Sequence, residues 1–176
     1  MIRLARYLRR FGADRRGVAA VEMSLVTSAF AVAMFNAVEV GRYAYILMEA
    51  EQATQAGAQA AYVTCDSQHV PATQNCPGLN AAVTTAVQST TLGTNVTLNG
   101  SIDEAYYCVD STGALVYASD LASKPSDCSA YGSTGVAPVL YLQVHTTYTY
   151  APIFTGFTIA GNFPTSVQKT AWMRML

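Results

Sequence analysis

Residues 15–42 read RRGVAAVEMSLVTSAFAVAMFNAVEVGR, and the apolar run at the centre of this stretch decides the fold. No charged residue occurs in residues 23–38, and extending the run back to Val18 gives 21 residues that include only Glu22. At about 1.5 Å per residue, a helix of this length spans a bilayer core of roughly 30 Å. The stretch therefore predicts one transmembrane helix near the N-terminus.

The segment before the apolar run is strongly basic. Residues 1–16 contain six arginines against Asp14 alone, a formal charge of +5, so the other 160 residues of this −1 chain carry −6. A basic arm can bind the phosphates of nucleic acid, but here the positive charge ends where the apolar run begins. No nucleic-acid partner is therefore expected. By the positive-inside rule, the N-terminus should lie in the cytoplasm and the C-terminal part of the chain across the membrane.

Helix-forming sequence continues past the apolar run. Residues 41–63 read GRYAYILMEAEQATQAGAQAAYV, which contains no proline and is rich in good helix formers. One helix over residues 18–63 would be about 69 Å long, so its distal half must pack on something other than lipid. Mostly small residues recur along one face of that half and predict close packing on a sheet: Tyr43, Ile46, Leu47, Ala50, Ala53, Thr54, Gly57 and Ala61.

The rest of the chain has the pattern of a mixed domain. A polar, proline-containing loop follows Cys65, and residues 79–90 (LNAAVTTAVQST) predict a short second helix. Three short runs, NVTLNGSI, EAYYCV and ALVYA, are rich in β-branched and aromatic residues and predict strands, with a turn at residues 110–113 between the last two. A loop rich in Ser, Gly, Pro and Asp follows over residues 119–138.

Two further strands are predicted near the C-terminal end of the sequence. Residues 139–150 alternate between a predicted inner face (Leu140, Leu142, Val144, Tyr148 and Tyr150) and a more polar face, and residues 166–176 should place Val167, Ala171 and Met173 inward. The expected fold is α+β, with a long N-terminal helix packed on a small antiparallel sheet. The expected divisions are a basic cytoplasmic leader (1–17), a transmembrane and pilin-like helix (18–63) and an extracytoplasmic domain (64–176).

All four cysteines follow the membrane segment: Cys65, Cys76, Cys108 and Cys128. An even number of cysteines in an oxidising compartment is typical of disulfides. The sequence allows three pairings, of which we favour Cys65 with Cys76 and Cys108 with Cys128, because each of these pairs closes one local loop. A structural zinc site is the alternative, but neither spacing is Cys-x-x-Cys. We expect no metal and no cofactor.

The junction between the arginines and the apolar run contains the most informative pattern. A carboxylate inside a membrane helix costs about 2.5–3.5 kcal/mol at the helix centre, so Glu22 should have a partner. Cleavage after Gly17 would create such a partner, because the new ammonium of Val18 lies one helical turn from Glu22. Glycine suits a cleavage site, since an extended backbone without a side chain enters a protease cleft without a clash.

These residues resemble the TadE-like pseudopilins of the tight adherence (Flp) pilus system, a branch of the type IV pilins. The resemblance covers residues 16–22, the apolar run, residues 39–42 (EVGR) and the alanine-rich continuation to Ala61, although Met23 stands where an aromatic residue is usual. It implies cleavage after Gly17 by a prepilin peptidase and an assembly role for Glu22. It also implies a single-pass protein of the bacterial inner membrane with a periplasmic domain, which helps to assemble or prime an adhesive pilus. Its partners would be other pilins or pseudopilins and the Tad assembly machinery of the inner membrane.

Other interpretations of the N-terminus remain open. The sequence Ala31-Val32-Ala33 fits a signal-peptidase site after an apolar region, although Glu22 and the helical continuation beyond Val38 argue against a secretory signal peptide. An uncleaved envelope protein, permanently anchored and binding a partner in the periplasm, is the main rival to the pseudopilin.

Two features of the helix have more than one interpretation. Ala29, Ala33, Ala37 and Gly41 fall four residues apart and predict a close helix-packing stripe, unless they reflect only the abundance of alanine. Glu39 and Arg42 mark either the membrane surface or a contact between subunits.

The sequence offers little support for catalysis. It contains only two histidines, His69 in a predicted loop and His145 on the polar face of a predicted strand, and we interpret both as surface residues. Serine-hydrolase, zinc-protease and phosphate-loop motifs are missing from the sequence. We therefore expect no enzymatic activity.

Overall fold

The computed structural model of the chain describes residues 16–65, 67–156 and 158–175. Residues 1–15 of the predicted leader (1–17) therefore lie outside the described residues. The chain divides into two compact units, Met1–Arg42 with Pro152–Phe163 and Tyr43–Ala151 with Pro164–Leu176. The helices are α1 (Arg16–Thr64), α2 (Ala72–Asn75) and α3 (Leu79–Val87), and the strands are β1 (Val96–Leu98), β2 (Asp103–Val109), β3 (Leu115–Ser119), β4 (Val139–Thr149) and β5 (Ser166–Arg174).

The long helix α1 is confirmed and differs from the predicted bounds by two residues or fewer at either end. Its N-terminal part belongs to the first unit and its part from Tyr43 onward to the second. The predicted small-residue face is also confirmed within the second unit. Most of its members are buried, and Ala58 joins them: Ile46, Ala50, Ala53, Thr54, Gly57, Ala58 and Ala61.

The sheet of the second unit is antiparallel and centred on β4. One edge of β4 pairs along residues 141–149 with β5, and the opposite edge pairs with β2 at residues 139–143 and with β1 at residues 146–148. Strand β3 pairs with β2. The predicted α+β fold, a long helix with a small antiparallel sheet, is therefore correct.

The predicted alternation of β4 is confirmed, and it buries one residue that the sequence did not single out. Leu140, Leu142 and Val144 point inward as expected, but Thr146 is buried at the next inward position. The hydroxyl of Thr146 lies 2.6 Å from that of Thr54 on α1, and the Thr54 hydroxyl donates a hydrogen bond of 2.6 Å to the carbonyl of Ala50. Both buried hydroxyls therefore have partners, as buried polar groups require.

The final strand differs in one detail from its prediction. Val167 and Ala171 are buried as expected, whereas Met173 is only half-buried. The next buried apolar side chain is Met175, just beyond the strand, whose backbone N–H donates to the carbonyl of Leu140. The chain thus remains attached to the start of β4 after regular pairing has ended.

Gly57 permits a close approach between α1 and its neighbours α3 and β4. A Cβ placed there would lie 2.6 Å from Cγ2 of Val87, 3.3 Å from Cγ1 of Val83 and 3.4 Å from Cγ1 of Val144. A Cβ placed at Gly41, on the same helix, would meet nothing within 4 Å. The two glycines therefore have opposite structural roles.

We predict that Gly57→Ala lowers the free energy of unfolding of the domain by about 1–3 kcal/mol, because overpacking forces a shift of Val87 or of the backbone. Gly41→Ala is the matched control and should be neutral or stabilising by roughly 0.5–1 kcal/mol through helix propensity. Thermal unfolding of the full chain in detergent, followed by near-ultraviolet circular dichroism, measures both variants. Equal stabilities for the two variants would contradict the close packing at Gly57.

Candidate functional site

The N-terminal part of α1 exposes a continuous apolar surface within the first unit. Its large apolar side chains are exposed, namely Val18, Val21, Met23, Leu25, Val26, Phe30, Val32, Met34, Phe35 and Val38. By length and composition, the helix Gly17–Thr64 can cross a membrane, and none of its most apolar window is buried inside the protein. We call residues 18–38 the stem. The stem has the surface of a helix that spans a membrane or packs against another protein.

Several polar side chains of the stem are satisfied by the helix itself. The hydroxyls of Ser24 and Ser28 donate to the carbonyls of Val21 and Leu25 at 2.8 and 2.9 Å, and the amide of Asn36 donates to the carbonyl of Val32 at 2.8 Å. Such back-bonding removes the need for water or for a neighbouring chain. These three residues are therefore compatible with an apolar environment.

The predicted processing site lies in the first turn of α1. Gly17 is the second residue of the helix, and a Cβ there would meet nothing within 4 Å. Glu22 is exposed, and no described side chain bonds to its carboxylate. Since Val18 and Glu22 are four residues apart on one helix, they share a face. An amine at Val18 could reach Glu22 in its own chain or in a neighbouring one.

The predicted packing stripe of Ala29, Ala33, Ala37 and Gly41 is exposed along its whole length. Small residues at this spacing form a shallow groove that allows another helix to approach closely. The described residues leave this groove uncovered. It is therefore open to a helix from another chain.

Glu39 occupies an environment that the sequence did not predict. Its side chain is 0% exposed, and its carboxylate accepts hydrogen bonds from the backbone N–H groups of Ile153 (3.1 Å to Oε1) and Phe154 (3.3 Å to Oε2). Arg42 approaches the same carboxylate at 3.4 Å. A buried carboxylate is tolerated when it is paired and hydrogen-bonded, and here both conditions hold. The role of Glu39 within its own chain is therefore to bind the segment that joins β4 to β5.

That segment, Pro152–Phe163, makes two further contacts with α1. The rings of Phe35 and Phe154 stack with centroids 4.6 Å apart, and the backbone N–H of Ile159 donates to Oδ1 of Asn36 at 2.9 Å. We call Pro152–Phe163 the apolar loop. Because residues 35, 36 and 39 lie on one turn of the helix, the loop is fixed at one level of α1, at the end of the stem.

An aromatic cluster lies on the polar face of the sheet in the second unit. Tyr107 makes edge-to-face contacts with Tyr117, Tyr141 and Trp172 at centroid distances of 5.8, 5.9 and 5.0 Å. Burial raises the pKa of Tyr107 above its ordinary value of 10.0, although a hydrogen bond from Gln143 opposes this shift. These contacts give several of the tyrosines a structural role in the sheet.

The cysteines form the two disulfides favoured from the sequence. Cys65 pairs with Cys76 and Cys108 with Cys128, with Cα–Cα distances of 5.9 and 5.6 Å. These distances fall within the usual range for disulfides. A hydrogen bond from the Ser129 hydroxyl holds the pKa of Asp127, next to the second bridge, below its ordinary value. The long loop between β3 and β4 is thus attached to β2 through Cys128.

The two histidines have different surroundings. His145 lies on the polar face of β4, where Nδ1 is 2.8 Å from the Thr170 hydroxyl and Nε2 is 3.4 Å from Oδ2 of Asp103. His69 is exposed. Among the residues that the structure describes, no group of three His, Cys, Asp or Glu side chains is arranged to hold a metal ion.

Comparison with known proteins gives no family assignment: no family model, no curated protein and no solved structure matches the chain. The proposed function therefore depends on the residues of the stem and on their geometry.

Proposed function

We propose that this chain is a TadE-like minor pseudopilin that takes part in the assembly or priming of a tight adherence (Flp) pilus. The observation that carries the proposal is the division of α1 into two parts with different surroundings. The stem leaves its apolar and small residues exposed, whereas the part from Tyr43 onward buries one face, which includes Ile46, Ala50 and Ala53, against the domain. Such a helix can be held in a membrane first and exchange lipid for neighbouring helices later.

The N-terminal junction supports proteolytic release from the leader. Among the described residues, nothing lies within 4 Å of a Cβ placed at Gly17, which is in the first turn of α1, where helices fray and an extended conformation costs least. Cleavage after Gly17 by a prepilin peptidase removes the arginines that hold the N-terminus in the cytoplasm. The same cleavage creates the ammonium of Val18, one helical turn from Glu22.

Glu22 would act during assembly rather than in folding. In the proposed filament, its carboxylate pairs with the ammonium of a neighbouring subunit, so that two charges enter an apolar environment as a neutral pair. The stripe of Ala29, Ala33, Ala37 and Gly41 then allows the helices to approach closely. The partners are the prepilin peptidase, other pilins or pseudopilins, and the Tad machinery of the bacterial inner membrane. In this proposal the protein has no catalytic role, and its disulfide-bonded domain is periplasmic.

The intact mass of the protein extracted from membranes tests this proposal. In cells with prepilin peptidase, we expect a chain that begins at Val18 and lacks the 17 residues of the leader. In otherwise identical cells without the peptidase, we expect the full chain with its leader. Both forms should contain two disulfides and no free thiol, which serves as the control for export and folding.

An equal mass in the two strains would contradict the proposal. If both masses retain the leader, the chain is an uncleaved envelope protein anchored by its stem. If both masses correspond to a new N-terminus beyond Ala33, the stem belongs to a secretory signal peptide.

A further inference from the structure

We infer that the apolar loop, Pro152–Phe163, is a second membrane contact that lies in the headgroup–acyl boundary of the outer leaflet beside the end of the stem. This inference rests on the proposed insertion of the stem into the membrane. The partner is the lipid bilayer itself.

The composition of the loop is unusual for a connection between strands. Its sequence, PIFTGFTIAGNF, contains no charged residue, and none occurs from residue 146 to residue 168. Surface connections are ordinarily polar because they are solvated. In this loop Ile153 and Ile159 are 58% and 54% exposed. Two large apolar side chains on a loop without charge indicate a surface that is covered in the working protein.

The position of the apolar loop along α1 indicates that lipid covers its exposed side chains. The loop contacts α1 at Phe35, Asn36 and Glu39. The proposed span is residues 18–38, so these contacts fall within about 6 Å of the end of the span at 1.5 Å per residue. The exposed apolar residues of the loop therefore continue the apolar surface of the stem at the depth of the membrane interface.

The charges near the loop are arranged to leave its surface apolar. Glu39 is the only charged residue between Glu22 and Arg42. Its carboxylate is turned inward and bound by the N–H groups of Ile153 and Phe154. Arg42, one turn further along, is 31% exposed at its side chain, as expected for a residue at headgroup level. A lipid interface accommodates this arrangement, whereas a charged partner would find no complementary group on the loop.

Fluorescence quenching by brominated lipids tests the inference in the full chain. The single tryptophan is removed by Trp172→Phe, and one reporter is then introduced at an exposed apolar position by Ile159→Trp, Phe30→Trp or Val136→Trp. Each variant is reconstituted in phosphatidylethanolamine–phosphatidylglycerol vesicles brominated either near the headgroup or deep in the acyl chains. Intact mass confirms that both disulfides are formed in each variant.

We expect the Ile159→Trp reporter to lose most of its emission to bromine near the headgroup and little to deep bromine. The Phe30→Trp reporter in the stem should show the reverse pattern. The Val136→Trp reporter, on an exposed loop of the second unit, is the matched control and should be quenched by neither lipid.

Three results would overturn the inference, and they separate it from the proposed function. If Ile159→Trp behaves like Val136→Trp while Phe30→Trp is quenched, the stem is inserted and the loop is not. If Ile159→Trp is unquenched but its emission shifts to the blue as the protein-to-lipid ratio rises, a second copy covers the loop. If Phe30→Trp is also unquenched by both lipids, membrane insertion fails together with both proposals.

Discussion

Chains that carry Glu22→Ala are expected to be cleaved and folded normally yet to be missing from pili. Glu22 is exposed on the stem, and its carboxylate forms no hydrogen bond or ion pair with a described side chain, so its loss breaks no such bond among the described residues. The peptidase acts at Gly17, before the ammonium of Val18 exists. Processed mass and disulfide content should therefore match those of the parent.

Incorporation should fail because a neighbouring ammonium would be buried without its partner. Breaking a buried ion pair by removing one member costs about 3–5 kcal/mol. At 1.4 kcal/mol per factor of ten, the recovery of the subunit in sheared pili should fall by roughly 100-fold or more. Glu22→Gln should fail similarly, and Glu22→Asp should rescue poorly because its carboxylate is withdrawn by one methylene.

Glu51→Gln is the matched control for charge removal on the same helix. Glu51 lies in the second unit and forms a partly exposed ion pair with Lys169 at 3.2 Å. Pairs of this kind contribute about 0–1 kcal/mol, so this variant should assemble like the parent. Normal pilus recovery for Glu22→Ala would show that Glu22 is a tolerated interfacial residue, and would favour the permanently anchored envelope protein.

Gly17→Leu is expected to leave the leader attached to nearly all of the protein. A Cβ at Gly17 meets nothing within 4 Å, so the substitution should not disturb the folded chain. The loss should instead arise in the peptidase cleft, where a branched side chain obstructs the extended backbone. The precursor should be inserted in the membrane with both disulfides formed, but should not enter pili.

Gly12→Leu provides the same substitution within the leader, five residues before the predicted cleavage site. It should be processed to a chain that begins at Val18. Pulse labelling followed by intact-mass measurement compares the two variants directly. Removal of the leader from Gly17→Leu at the parental rate would place the cleavage site elsewhere.

Local patterns were sufficient to predict most of the fold. The absence of charge in residues 23–38 and of proline up to residue 63 defined α1, and the alternation of residues 139–150 defined β4. Both disulfide pairs followed from short loops. The exposure of Ala29, Ala33, Ala37 and Gly41 agrees with a contact surface, but the partner that would cover them stays a prediction.

The environment of Glu39 could not be predicted because its partners are distant in sequence. The carboxylate binds backbone N–H groups 114 and 115 residues away. Because every residue except proline has a backbone N–H group, the residue types do not reveal which of these groups bind a carboxylate. The sequence did contain one usable signal, which is the uncharged apolar composition of residues 152–163. Met173 was assigned to the inner face by strict alternation, whereas the buried methionine is Met175, beyond the end of regular pairing.

The hydrogen bond between the buried hydroxyls of Thr54 and Thr146 matters more for the position that α1 adopts on β4 than for the free energy of unfolding. Replacing both residues with apolar side chains of the same shape would change stability little, since a neutral hydrogen bond contributes about 0.5–1.5 kcal/mol net. Sliding α1 by one turn against β4, however, would separate the two hydroxyls and leave the Thr146 hydroxyl buried against hydrocarbon. Successive turns of an alanine-rich helix face present nearly the same surface, so the helix could also pack at positions displaced by one or more turns. The hydrogen bond between the two threonines forms at one of these positions and therefore favours it over the others.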